Sequence, residues 1–401
     1  MLVKGLMSFM MVSGPLLSLA VAQTLIWAGV FYIFPALLLR WEAAFGWSKL
    51  ELTGAVSLAI AVAACISPLA GRFIDRGYGP HLLTGAALLG GGLLFILSGV
   101  DQRWEFYLVW LGLGLTMGCG LYEPCFALLI RPYGEQAKKR IIFITLIAGF
   151  AGTVSFPSAH FLSDWVGWRN TVQVFSCILI LVAAPLMWFG AVSVNRDRVH
   201  SAALENNETK LSLLRSRPFW LLAMGFSFIA LSHGVVLHHL LSILHGFGVC
   251  ADISVAIGAS IGPMQVFGRV VVMALANHVT NHKLAVSCFL VVMAAIFILL
   301  WSSGSLWLLF LFVVLFGSGY GIVSVIRPSV ARDVLGQSDF GAKAGALALL
   351  YWLGIAIAPY FGALLWGIGG YDFTLSILIG LVLIGMLLYL GSAKISGTNK
   401  H

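Results

Sequence analysis

Gly71-Arg72-Phe73-Ile74-Asp75-Arg76-Gly77-Tyr78-Gly79-Pro80-His81 is a short charged gap in an otherwise apolar stretch of chain. Residues 51–70 precede it and residues 82–100 follow it, and each run approaches the ~20 apolar residues that a helix needs to cross a bilayer. The same scan carried outward gives twelve such spans, at about 14–39, 51–70, 82–100, 105–130, 141–163, 170–193, 218–244, 252–276, 284–301, 306–330, 344–367 and 373–393. The gaps between them are short, as packed helical hairpins require.

Composition supports the same conclusion. Hydrophobic residues make up 60% of the 401 and charged residues only 9%, against roughly 25% charged in a water-soluble domain. Such a chain cannot cover its surface with polar groups, whereas lipid as the outer solvent removes the need. The 45 glycines also suit membrane helices. The fold class expected is an all-α membrane protein with twelve transmembrane helices in two pseudo-symmetric six-helix bundles. The N-terminus imitates a cleavable signal peptide, with Lys4 before an apolar stretch and the small residues Leu19-Ala20-Val21-Ala22. Its apolar character runs on to Leu39, past the 7–15 residues of a signal's core, so an uncleaved first helix is expected.

The net charge of +8 is spread over the gaps and does not form one face or tail. No nucleic-acid partner is therefore expected, and the lipid bilayer is. With the N-terminus placed in the cytoplasm, the even-numbered gaps and both tails hold all but four of the 23 Lys and Arg residues, with the helix-embedded Arg269 and Arg327 assigned to their nearest gaps. The exceptions are Arg40, Lys49, Arg103 and Arg169. The positive-inside rule then places both termini and the central gap in the cytoplasm. That central gap is the longest polar stretch. It divides the chain into an N-terminal bundle (1–193), a linker (194–217) and a C-terminal bundle (218–401).

The halves resemble each other. Gly71-Arg72 matches Gly268-Arg269, and Ile130-Arg131-Pro132 matches Ile326-Arg327-Pro328. Pro157 with Gly167-Trp168 matches Pro359 with Gly370-Tyr371. The offsets are 197, 196 and 202 residues, about half the chain. Shared order and offset suggest a duplicated six-helix unit, a transporter architecture with its substrate site near the midplane.

In this setting Gly71, Asp75 and Arg76 resemble the signature of the major facilitator superfamily between helices two and three, Gly-x-x-x-Asp-Arg. The resemblance implies a gate in which the Asp sits at the positive end of helix eleven, where a helix dipole stabilises a carboxylate, and in which Gly71 permits close helix approach. Gly77 is an extra residue relative to the pattern, and Pro80-His81 replaces its usual basic pair. Phe45-Gly46-Trp47-Ser48, Tyr122-Glu123-Pro124 and Gly167-Trp168-Arg169 look like the bacterial branch related to the monocarboxylate porters. That branch implies a multi-pass protein of the bacterial inner (plasma) membrane. Its members import carboxylates or vitamins such as riboflavin, or export arsenite or drugs.

Ionisable groups inside membrane helices cost at least about 2.5–3.5 kcal/mol near the centre and need a reason. Glu123 is the acidic residue deepest in a span. It serves either as a proton carrier, its pKa raised by burial, or as an ion-pair partner of Arg72, Arg76 or Arg131. Arg269 lies two turns from the end of span eight. The monocarboxylate-porter resemblance implies a carboxylate-binding Arg on this helix, with an Asp one turn before it. Here that position holds Gln265. An Arg there can bind an anion bidentately, or pack and snorkel to the interface. His233, His238, His239 and His245 enrich span seven. The later three are expected at the outer interface, and His233 stays open as a ligand-binding group. His160 is expected to be a packing or hydrogen-bonding residue. Gln23, Trp27 and Phe31 share a face of span one. Tyr122, Tyr320, Tyr351 and Trp352 lie near other midpoints and can stack a planar ligand or simply pack. Trp41, Trp47, Trp104 and Trp168 are expected in the outer interfacial belt.

Several other patterns exclude alternatives. The six cysteines show no C-x-x-C spacing, five lie in apolar runs, and they are expected as small buried residues without disulfides. No metal and no cofactor are expected. Gly112 to Gly118 imitates a dinucleotide loop but has no preceding strand, and Gly319-Tyr320-Gly321 imitates a filter fragment. Both fit small-residue helix packing. An intramembrane enzyme would need a reactive set at the midplane such as H-E-x-x-H, which is absent from the chain. A channel or receptor fits the duplication and gate motif poorly. The expected function is secondary transport of a small solute, possible coupling to a proton included, by a monomer. The cargo is an organic anion or a planar vitamin such as riboflavin taken up, or a toxic compound exported.

Overall fold

The computed structural model describes residues 14–133, 137–196, 216–275, 278–336 and 340–398. Most of the linker expected at 194–217 lies outside these residues. Among the described residues, nine helical segments are long and apolar enough to cross a membrane. Three of them, Lys49–Leu97, Lys139–Asn195 and Lys343–Gly397, are each two helices meeting at a non-helical glycine: Gly77, Gly167, and Gly369 with Gly370. Separating them gives the twelve expected helices. These are α1 Gly14–Phe45, α2 Lys49–Phe73, α3 Gly79–Leu97, α4 Arg103–Tyr133, α5 137–166 and α6 168–196. They continue as α7 Arg217–Gly246, α8 Ala251–Leu275, α9 Asn281–Trp301, α10 Leu306–Leu335, α11 340–368 and α12 371–398.

The joints explain two sequence features. Gly167 and Gly370 have φ of 81° and 73°, a left-handed conformation that an L side chain rarely adopts. They join α5 to α6 and α11 to α12, so the repeat-related glycines do the same work in each half. Gly77, the extra residue of the motif, has φ 93° inside a π-helical turn, Ile74–Tyr78. The insertion is what lets the chain pass from α2 into α3.

The chain forms two compact units, 1–33 with 62–202, and 34–61 with 203–401. Residues 34–61, the end of α1 and the start of α2, pack with the C-terminal helices instead of with their own half. There Lys49 is buried, 2.6 Å from Glu42 and 4.3 Å above the Trp366 ring. Ser57 accepts from the backbone N–H of Tyr360 at 3.1 Å.

Large apolar side chains face outward in both units, among them Phe95, Trp165 and Leu181 in the first and Phe297, Trp307 and Phe310 in the second. Water would penalise such a surface, and lipid does not. Trp104 and Trp165 are exposed, as membrane-facing aromatics should be, but Trp41 is fully buried against Phe34 and does not join an outer belt. Helix approach depends on glycine, as expected. A Cβ at Gly112 would meet Leu93 at 2.8 Å, and one at Gly118 would meet the Ala63 carbonyl at 2.9 Å. Cys125 and Cys288 are buried, whereas Cys65, Cys177 and Cys250 are exposed, contrary to expectation for those three. All six are free.

Candidate substrate-binding site

In the first unit the polar focus is a break in α4. Pro124 has no N–H and cannot bond the carbonyl four residues before it, on Gly120. The helix stops there: Leu121 is extended, with ψ −156°, and Tyr122 opens the second half. Gln23 on α1 compensates by donating its Nε2–H to the Gly120 carbonyl at 2.8 Å, fully buried. Its Oε1 has no partner. One turn on, α1 widens into a π-helical turn, Trp27–Tyr32, a distortion frequent at functional sites. Trp27 is buried and its Nε1–H is unpartnered. Its ring lies 5.1 Å from Phe31 and 4.7 Å from Tyr122, which stacks on Phe126 at 5.1 Å. Gln23, Trp27 and Tyr122 therefore share one neighbourhood.

Glu123 sits in the first turn of the restarted helix, where the dipole suits a carboxylate. It is exposed. The burial expected for it is not found. The gate residues Asp75 and Arg76 are also exposed. The backbone of their motif is held by Arg131, whose Nη1 donates to the Ile74 carbonyl. The start of helix eleven that the motif implies for Asp75 adjoins 337–339, outside the described residues. A Cβ at Gly71 would meet nothing within 4 Å, so the close approach expected there is absent. The repeat-related Gly268 provides one instead, its Cβ position falling on the Ser318 backbone. His160 pairs with Asp164 one turn away at 3.4 Å.

The second unit gathers the remaining candidates. His233 on α7 is buried and stacked, 3.4 Å from the Tyr320 ring at an interplanar angle of 2° and 4.7 Å from Phe316. Neither ring nitrogen has a partner. Tyr320 on α10 hydrogen-bonds Tyr351 on α11. Gln265 and Arg269, one turn apart on α8, are both buried. α8 meets α10 closely because Gly317 and Gly321 carry no side chain, and a Cβ at Gly321 would fall on the Gln265 carbonyl. Arg269 donates its Nε–H to Ser324 at 3.2 Å. It is held inside the protein, not drawn out to the interface. The Gln265 amide nitrogen has no partner.

Arg327, treated in the sequence only as a basic residue near the end of α10, belongs to the same cluster. Its guanidinium lies 3.9 Å above the Tyr351 ring. One Arg327 amino group is buried without a partner. The signal that could have found it is the repeat, which aligns it with Arg131. His238 and His239 are buried. His238 Nδ1 lies 2.9 Å from the Gly234 carbonyl and His239 Nε2 lies 2.8 Å from the Pro359 carbonyl. His245 is exposed. Among the described residues no three His, Cys, Asp or Glu side chains converge as metal ligands.

Twelve apolar helices, with polar side chains buried along them, define a polytopic membrane protein. Residues 16–330 match the model of the Major Facilitator Superfamily, and the chain belongs to that superfamily. It is similar to the MFS transporter asaE of Aspergillus flavus, at 21% identity over 360 residues, covering 85% of this chain and 77% of that protein. Two solved structures share the fold. One is a bacterial homolog of the human lysosomal transporter Spinster, inward-facing and occupied (TM-score 0.70, 15% identity, 94% of this chain and 96% of that one). The other is a point mutant of the nucleoside transporter NupG (TM-score 0.73, 12% identity, 94% and 98%).

Proposed function

We propose that the protein is a secondary active transporter that takes up a small organic anion with a planar body, of the kind carried by the monocarboxylate porters. The observation that supports this most is the buried Arg269, held by Ser324 beside Arg327 and the Tyr320–Tyr351 pair. A guanidinium can meet a carboxylate with two parallel hydrogen bonds. A planar vitamin such as riboflavin stays within the class. The moving bodies are residues 1–193 and 218–401, rocking in alternating access. The protein is a monomer in a bacterial inner membrane with both termini cytoplasmic. Glu123 carries the coupling proton, and Asp75 and Arg76 form the cytoplasmic gate.

Counterflow in proteoliposomes over a panel of carboxylates, flavins and arsenicals tests the class. Ligands found by thermal stabilisation should be transported, and Arg269→Ala should abolish uptake of the anions at normal expression. Unchanged affinity in Arg269→Ala would sink the anion assignment. Transport confined to arsenicals or drugs would shift the function to export.

A further inference from the structure

Duplicated positions in the two halves carry the same residue, and one of each pair can be spared for function. Arg131 and Arg327 are such a pair. Arg131 is used by the fold, since its guanidinium holds the Ile74 carbonyl in the turn between α2 and α3. Arg327 has no comparable backbone contact at its buried amino group, which is left without a partner. Its other face is fixed by the Tyr351 ring at 3.9 Å, so the side chain is oriented rather than loose. Stacking on an aromatic face leaves the edge of a guanidinium, where its N–H donors lie, open to an anion. The same unit holds, among others, two more buried polar groups with nothing to bond. These are the His233 imidazole, locked in register by Tyr320 and Phe316, and the Gln265 amide nitrogen. Buried polar groups in a native protein are almost always satisfied. Three that are not, with His233 stacked on Tyr320 and Arg327 on Tyr351, mark a place where something else completes the bonds.

We infer that Arg327 is the residue that receives the carboxylate of the transported solute, with the Gln265 amide and the His233 imidazole as neutral donors beside it. This rests on the anion-transport assignment and sharpens it, because it moves the primary contact from α8 to α10. Arg269 then sets the field and positions Ser324, and Arg327 sets the geometry. The ligand class follows from the donors: a guanidinium edge and an amide N–H suit a flat, bidentate carboxylate.

Binding of lactate, succinate and benzoate to the purified full-length protein, with benzamide and sulfate as controls, provides the test. At least one carboxylate should bind wild type. Arg327→Gln should weaken it about ten- to hundred-fold, the loss typical of a charge-assisted hydrogen bond to a buried partner, while Arg131→Gln leaves the affinity of the folded fraction unchanged. Benzamide should not compete. In wild type, where no substitution can disturb folding, a bound carboxylate should protect Arg327 from phenylglyoxal, read by mass spectrometry. Binding that survives Arg327→Gln, or absence of protection, overturns the assignment to Arg327 and leaves anion transport standing. Failure of every carboxylate to bind wild type overturns both. Sulfate that binds as tightly, with the same dependence on Arg327, overturns the carboxylate class.

Discussion

The two halves place the same residues at matching positions and use them differently. At Gly71 there is open space, whereas at Gly268 the backbone of α10 passes where a side chain would begin. Arg131 is tied to a backbone carbonyl, and Arg327 rests on an aromatic ring with a donor to spare. The polar focus of the first unit is neutral, built on Gln23 and Trp27, while that of the second is cationic. Where duplication leaves two copies of a residue, packing can retain one and binding can recruit the other. Only Gly167 and Gly370 keep one role, because a left-handed joint admits no substitute side chain in either half.

The glycine pair offers the largest contrast. Gly268→Ala would press a methyl group into the Ser318 backbone, which cannot rotate away as a side chain can. Overpacking of this kind costs about 1–3 kcal/mol and sometimes more. Gly71→Ala should stay within about 0.5 kcal/mol, as substitutions away from tight contacts do. Melting temperatures of the two variants in detergent decide it. Equal losses would mean that the halves pack alike and that the asymmetry is not a property of the protein.

The arginine pair should separate stability from binding. Arg131→Gln removes a charge-assisted bond to a carbonyl and should cost about 1.5–3 kcal/mol of stability, with ligand affinity kept. Arg327→Gln should reverse that pattern, keeping the melting temperature near wild type and losing affinity. A melting loss in Arg327→Gln as large as in Arg131→Gln would return Arg327 to the fold.

Sequence alone reached the twelve helices because a bilayer demands long apolar runs and leaves little freedom in how they are built. It also singled out several residues of the second unit. A polar residue in an apolar span stands out by type, and His233, Gln265, Arg269, Tyr320 and Tyr351 are all buried or part-buried there. Partners were not legible. Nothing in the spelling of Ile130-Arg131-Pro132 and Ile326-Arg327-Pro328 tells that one arginine meets a backbone carbonyl, because every residue offers the same carbonyl. His238, His239 and Trp41 look interfacial by position, yet they are buried by helices distant in sequence. The packing of residues 34–61 with the C-terminal helices is likewise a tertiary fact, which local periodicity does not record.

The smallest predicted effect tests the neutral site of the first unit. The account given for α4 is that Pro124 frees the Gly120 carbonyl and Gln23 satisfies it. Gln23→Leu should therefore strand a buried acceptor and cost about 1–3 kcal/mol. Pro124→Ala restores an N–H that can bond Gly120 within the helix, so the same Gln23→Leu change should cost less in that background. Residues that share a partner couple, here by an expected ~1 kcal/mol, measured as the non-additive part of a double-mutant cycle on melting. Additive losses would show that the proline does not create the need that Gln23 meets. The break at Leu121 would then require another cause, and Gln23 would be left with its unpartnered oxygen as its main reason to be buried on α1.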